Sequence, residues 1–170
     1  TQIYIADGYK LSSPEIGLPD QAHVMKNGFA MQCRITTEDP SNGFKPDYGT
    51  LITYRNATGF GVRLDEGSTY PGMKISPFFD SMLVKVSTQG ATLVDAARKM
   101  NRALREFRIR GVKNNIQFLE NLINHPVFVE GKATVNFIQE YPELFAITTG
   151  LDRGTRVLSF LGDISLNGNP

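Results

Sequence analysis

Apolar and polar residues alternate along the first half of the chain and recur at helical spacing along the second. Between residues 30 and 37, Met31, Cys33 and Ile35 fall on one side and Gln32, Arg34 and Thr36 on the other. That period of two predicts a half-buried strand. Residues 50–55, 59–64 and 81–88 read as further strands, and the stretch 70–80, with Pro71, Gly72 and Pro77, reads as irregular. From residue 91 the period changes. Leu93, Ala96, Ala97, Met100, Leu104 and Phe107 recur at three- and four-residue steps, which predicts an amphipathic helix closed by Gly111, with Asp95 one turn from Lys99. A second helix fits residues 115–123. Short helical pieces fit around Pro126 and from Thr134, as cap, to Gln139, before Pro142 breaks the pattern. A last helix fits residues 151–164. Residues 1–8 read as a helix tail ending at Gly8, and residues 9–28 as a connecting loop.

Strands first and helices afterwards predict an α+β fold: short, mostly antiparallel strands with helices on one side. Three parts are expected: residues 1–28 as the end of a preceding region and its loop, 29–145 as the main domain, and 146–170 as the start of a linker domain. A first residue other than methionine, and an end in Asn167-Gly168-Asn169-Pro170, read as cuts from something larger.

The run Gly59-Phe60-Gly61-Val62-Arg63-Leu64-Asp65 stands out. Phe60, Val62 and Leu64 share one face, and Arg63 stands beside two residues without side chains. Bare backbone around one arginine leaves room for a flat ligand bearing a carbonyl or a negative charge. A guanidinium suits that ligand because its planar fork donates in pairs and keeps its charge. A hairpin strand with glycine bulges and a solvated arginine fits the same pattern.

Composition narrows the choice. The chain is 41% hydrophobic and 21% charged, as expected for one globular domain, and its net charge of +1 does not mark a nucleic-acid binder. No apolar run approaches the roughly 20 residues that span a bilayer. Cys33, alone, forms no intrachain disulfide and reads as a buried thiol in a reducing compartment such as the cytoplasm. His23 and His125 are the only histidines and lack ligand spacing, so no metal site is expected. Glu38 and Asp39 precede Pro40 and read as turn formers, and Asp80 reads as an acceptor for nearby backbone N–H groups, with Ser81 and Lys85 structural. Gly59-Phe60-Gly61 lacks the following helix of a dinucleotide loop.

Arg98, Lys99, Arg102 and Arg105 read as a solvated helix face. Arg108 and Arg110 alternate with Phe107 and Ile109, so they point together from an extended segment able to grip a phosphate, and Arg153 and Arg156 open the last helix. Ordinary surface arginines fit the same pattern and are the commoner case.

Several stretches together resemble the C-terminal subdomain of biotin carboxylase. They are Ala30-Met31-Gln32-Cys33-Arg34-Ile35-Thr36-Thr37-Glu38-Asp39-Pro40, the Gly59–Leu64 run, Ile75-Ser76-Pro77-Phe78-Phe79-Asp80-Ser81-Met82-Leu83-Val84-Lys85, and Arg108-Ile109-Arg110-Gly111-Val112-Lys113-Asn114-Asn115. Thr36-Thr37-Glu38-Asp39-Pro40 is similar to the pyruvate carboxylase branch. Phe137-Ile138, Pro142-Glu143-Leu144-Phe145 and Leu151-Asp152-Arg153-Gly154-Thr155-Arg156 resemble the exit into a linker before the carboxyltransferase.

The resemblance implies one subdomain of an ATP-dependent ligase that carboxylates biotin, with pyruvate as final acceptor and oxaloacetate as product. Arg63 then stabilises negative charge growing on the ureido oxygen of biotin, contacts bicarbonate, and has Gly61 beside it for close approach. ATP and Mg are implied to bind the upstream ATP-grasp region. Biotin is carried by another domain, and the carrier, ATP-grasp and carboxyltransferase domains of the same polypeptide are the implied partners, in a homo-oligomer. Arg108, Arg110, Asp152 and Arg153 match a site for acetyl-CoA as activator. Two alternatives stay open: a non-catalytic anion- or RNA-binding module built on Arg108, Arg110, Arg153 and Arg156, and a structural interaction domain.

Overall fold

The computed structural model describes residues 1–18, 20–147 and 153–168, with Arg153 by its backbone only. A short helix α1 (Gln2–Ala6) and an exposed loop with a single 3-10 turn lead to the first strand. The order is then β1 (Phe29–Thr36), β2 (Glu38–Asp39), β3 (Lys45–Pro46), β4 (Gly49–Thr50), β5 (Thr53–Arg55), β6 (Val62–Glu66), β7 (Lys74–Ile75) and β8 (Met82–Gly90). Helix α2 (Leu93–Glu106), β9 (Arg108–Arg110), α3 (Ile116–Asn124), α4 (Pro126–Val129), α5 (Phe137–Glu140), a 3-10 turn and α6 (Arg153–Asn167) follow.

β1, β8 and β6 form an antiparallel sheet with β8 in the middle. Its two faces follow from alternation. Met31, Cys33 and Ile35 of β1 and Val84 and Val86 of β8 are buried against Ala96, Ala97, Met100, Ala103 and Leu104 of α2. α3 packs on α2, so the helices lie on one side and leave the other sheet face open. A smaller cluster joins Phe118, Phe137 and Leu144, with the Phe44 and Phe145 rings packed against Phe118. The α+β expectation therefore holds.

Asn115 closes the end of the main sheet. It is buried, its Oδ1 accepts from Thr36 N at 2.9 Å and its Nδ2 donates to Arg34 O at 3.0 Å. Asp39 caps the 3-10 turn at Pro40–Asn42, accepting from Ser41 N at 3.1 Å, and also pairs with Lys113. Glu38 accepts from Ser81 Oγ at 2.6 Å and Thr36 Oγ1 at 2.9 Å, and Asp80 Oδ1 accepts from Met82 N at 3.3 Å. All three carboxylates serve local architecture.

Several boundaries move. The strand expected over 50–55 is two pieces, because Leu51 N donates to Met73 O while Ile52 N donates to Arg110 O. The chain changes partner between those residues, from β7 to β9. The strand expected from Gly59 begins at Val62, since Gly59 and Gly61 hold φ of 125° and 75°. α2 stops at Glu106, ahead of Gly111, where Phe107 takes an extended conformation. Asp95 binds the cap residue Thr92 and accepts nothing from Lys99, whose Nζ donates to Gln89 O: Thr92 Oγ1 accepts from Asp95 N at 3.1 Å and donates to its Oδ2 at 2.7 Å. α5 starts at Phe137, three residues after Thr134, and Pro142 opens a 3-10 turn over Pro142–Phe145. The boundary expected at 146–150 falls partly on residues 148–150, outside the described residues.

Candidate functional site

Arg63 occupies the open face of the sheet. The register sets it opposite Ser87 of β8, which sits opposite Gln32 of β1, and Gln32 Nε2 donates to Ser87 Oγ at 2.9 Å. The next row on this face is Arg34, Lys85 and Asp65. Residues two apart on a strand share a face, so Asp65 reaches Arg63. Arg63 Nε donates to Oδ1 and Oδ2 of Asp65, both at 3.1 Å, and Nη2 donates to Oδ1 at 2.8 Å.

This fork holds one edge of the guanidinium and leaves Nη1 uncommitted among the described residues. The side chain is 77% exposed. The hydrogen bonds from Arg63, and then its charge and that of Lys85, hold the Asp65 carboxyl below its ordinary value, while Asp65 raises Arg63. The charged pair is thus the resting state.

Arg63, Ala30, Gly61, Val62, Ser87 and Gln89 border an open depression of about 280 Å³, mostly apolar in its wall. A second depression on the far side of Gly61 and Gln89 is polar and reaches Lys99. The two glycines are less bare than their sequence suggests. A Cβ on Gly61 would stand 3.1 Å from Lys99 Nζ, and one on Gly59 would stand 3.3 Å from Arg102 Nη2. Two cations of α2, expected on a solvated face, cover the backbone behind Arg63. No sequence period links residues 59–61 to 99–102, because their contact depends on the packing of α2 against the sheet.

Arg108 and Arg110 lie on another sheet, the β5–β9 pair, with Arg55 opposite Arg108 and Thr53 opposite Arg110. Both arginines are exposed on one face, as expected, and Ile109 between them is partly buried in the core. Arg55 joins them, a residue that sequence reading passed over because its strand partner lies far along the chain. None of the three has an ion-pair partner among the described residues. Asp152 and the side chain of Arg153 fall outside the described residues. His125 packs against the rings of Phe137 and Tyr141, at 5.1 and 4.5 Å, and His23 pairs with Asp20 in the first loop. No helix among the described residues is long and apolar enough to cross a membrane.

An antiparallel sheet backed by helices on one face, with an anchored arginine over a depression on the other, defines an α+β domain with a candidate ligand site. The chain belongs to the biotin carboxylase C-terminal domain family, whose model matches residues 32–140. It is 52% identical over 170 residues to a pyruvate carboxylase of Staphylococcus aureus, covering 100% of this chain and 15% of that protein. A human pyruvate carboxylase, named as mitochondrial, is 46% identical over 167 residues, covering 98% of this chain and 14% of that one. A solved structure of Rhizobium etli pyruvate carboxylase T882A with the allosteric activator acetyl coenzyme-A superposes with a TM-score of 0.80 at 47% identity, covering 99% of this chain and 17% of that one. The chain thus spans about 15% of the length of such curated relatives.

Proposed function

We propose that this chain completes the biotin and bicarbonate site of an ATP-dependent, biotin-dependent carboxylase whose final acceptor is pyruvate, working in the cytoplasm or the mitochondrial matrix. The observation that carries the proposal is the Arg63 guanidinium, fixed along one edge by Asp65 and open along the other, above a mostly apolar depression. Biotin fits those residues: it supplies a flat ureido group whose nitrogen takes up the carboxyl carbon, on a ring and arm that are apolar. Arg63 aims preorganised N–H donors at the position where negative charge grows on the ureido oxygen. Such donors lower the barrier because they gain more from the developing charge than from the neutral ground state. Asp65 keeps the fork from turning away. Gly61 lets a flat ring approach the backbone.

ATP and Mg fall to the ATP-grasp region of the same polypeptide, and the biotin carrier and carboxyltransferase domains are the other partners, within a homo-oligomer. The test is Arg63→Ala in the full-length polypeptide. Removing one preorganised donor costs about 10²–10³ in rate. Biotin carboxylation at the parent rate, in a folded variant, overturns the proposal.

A second site is favoured by three arginines, Arg55, Arg108 and Arg110, that have no ion-pair partner among the described residues. They suit a site for acetyl-CoA, whose phosphates offer negative charge to the three arginines, and the resemblance adds Asp152 and Arg153, which lie outside the described side chains. The Rhizobium etli structure contains that activator.

A further inference from the structure

The Gly59-Phe60-Gly61 tip is tied down on both sides, yet it presents its aromatic ring to solvent. Phe60 is fully exposed. Lys99 and Arg102, one turn apart on α2, lie against the two flanking glycines. Lys99 Nζ donates to Gln89 O at 2.8 Å, Gln89 N donates to Gly61 O at 3.3 Å, and Val62 N donates to Gly59 O at 3.2 Å. The tip is therefore held by β8, by α2 and by its own turn.

A phenyl ring left in water forgoes the stabilisation that burial gives. Here the backbone beneath it is fixed before any partner arrives, which removes an ordering cost from association. Gly61, the next residue, lines the depression that Arg63 serves. Phe60 and Arg63 are three positions apart on one tip and strand. Phe60 stands one residue beyond that lining, so a ligand that sits against Arg63 and extends past Gly61 comes within reach of the ring, which suits an apolar body carrying a polar carbonyl.

We propose that Phe60 contacts the apolar part of biotin, its sulfur-bearing ring and the start of its alkyl arm, while Arg63 takes the ureido end. A thioether sulfur against an aromatic ring adds a favourable contact to the area buried. This rests on the reading of Arg63 as the biotin-site arginine, and it adds the residue that sets affinity for the tethered ring. Lys99 and Arg102 act through Phe60 as positioning residues.

The test uses the full-length polypeptide with free biotin as the varied substrate, in the parent, Phe60→Ala, Phe60→Leu, Phe60→Tyr and Arg63→Ala. Two rates are read: carboxylation of the free biotin, and ATP cleavage with bicarbonate before any free biotin is added. Phe60→Ala raises KM for free biotin about tenfold, the scale of one lost aromatic contact, and lowers kcat far less. Phe60→Tyr keeps the ring and the parent KM. If Phe60→Ala does not fold, Phe60→Leu carries the test, and its KM rises several-fold.

A KM for biotin equal to the parent's overturns the inference. So does an equal fall of both rates, which marks a contact between domains. The two proposals fail separately. Normal carboxylation by Arg63→Ala removes the functional reading, while an impaired Arg63→Ala with silent Phe60 variants removes only the role of Phe60.

Discussion

Arg63 and Asp65 share the open face of β6, and the carboxylate grips the guanidinium through Nε and Nη2 at 2.8 to 3.1 Å. The contact orients an exposed side chain; at this exposure an ion pair adds little to stability. Asp65→Ala should therefore leave the melting temperature near that of the parent while biotin carboxylation falls about tenfold, as the fork loses its productive orientation. Steady-state kinetics beside thermal unfolding separates the two. A large drop in melting temperature with unchanged kcat would place the pair in the scaffold instead.

Gly61 is required for its backbone as well as for its lack of a side chain. Its φ of 75° lies in the left-handed region, and a Cβ would crowd Lys99 Nζ at 3.1 Å. Gly61→Ala should cost about 1–2 kcal/mol from conformation alone. Pairing it with Lys99→Ala relieves the crowding and leaves that cost in place. Urea unfolding of both variants checks the split, and full recovery in the double variant would show that only the crowding mattered.

The open face, the buried face and the order of the longer elements were legible in the sequence, because a period of two and a period near four report burial directly. The two-residue strands at 38–39 and 74–75 were read as turn or irregular chain and that at 45–46 was passed over, all being too short to show a period. Arg63 was legible as a candidate through its own strand. Its surroundings were not. Asp65 was visible as a neighbour but not as a clamp, and Lys99 and Arg102 reach Gly61 and Gly59 only because α2 crosses the sheet. Arg55 meets Arg108 through a pairing between segments more than fifty residues apart. Local patterns carry no information about such contacts.

Asp39 and Lys113 form an ion pair whose contribution depends on pH. The hydrogen bond from Lys113, and then that from Ser41, holds the Asp39 carboxyl below its ordinary value. The same contact raises Lys113. A lowered carboxylate gives stability present above its unfolded pKa and lost as pH falls through its folded one. A raised ammonium gives stability present below its unfolded pKa and lost as pH rises through its folded one. The full contribution thus spans about pH 4 to about pH 10. Lys113→Met should lower the melting temperature across that window, and the gap should close in stronger acid. A gap that persists below about pH 3 would show that Lys113 acts through packing.

Asn115 bridges two backbone groups at the end of β1 from a buried position. Asn115→Ala leaves Thr36 N and Arg34 O, which are part-buried, without that partner, and each lost hydrogen bond costs about 0.5–1.5 kcal/mol. Urea unfolding should show a loss on that scale, and a variant as stable as the parent would mean that other groups take over both bonds.

Arg55 and Arg108 face each other across β5 and β9, with Arg110 on the same face and no ion-pair partner for any of them among the described residues. Like charges directly opposite on a sheet oppose folding by about 0.2–1 kcal/mol. An anion that lies across them turns that cost into affinity, since each charge-assisted hydrogen bond contributes about 1.5–3 kcal/mol. Two opposed effects are therefore expected from Arg55→Thr. Thermal stability should rise slightly, and the acetyl-CoA concentration needed for half activation of the full-length enzyme should rise about tenfold or more. Arg110→Ala should weaken activation at least as much. Added salt should weaken activation of the parent and have less effect on either variant, because fewer charges remain to be screened. Activation curves at two ionic strengths measure all of this. If both variants keep the parent's half-activation concentration and maximal activation, in an enzyme that responds to acetyl-CoA, the three arginines do not form the activator site.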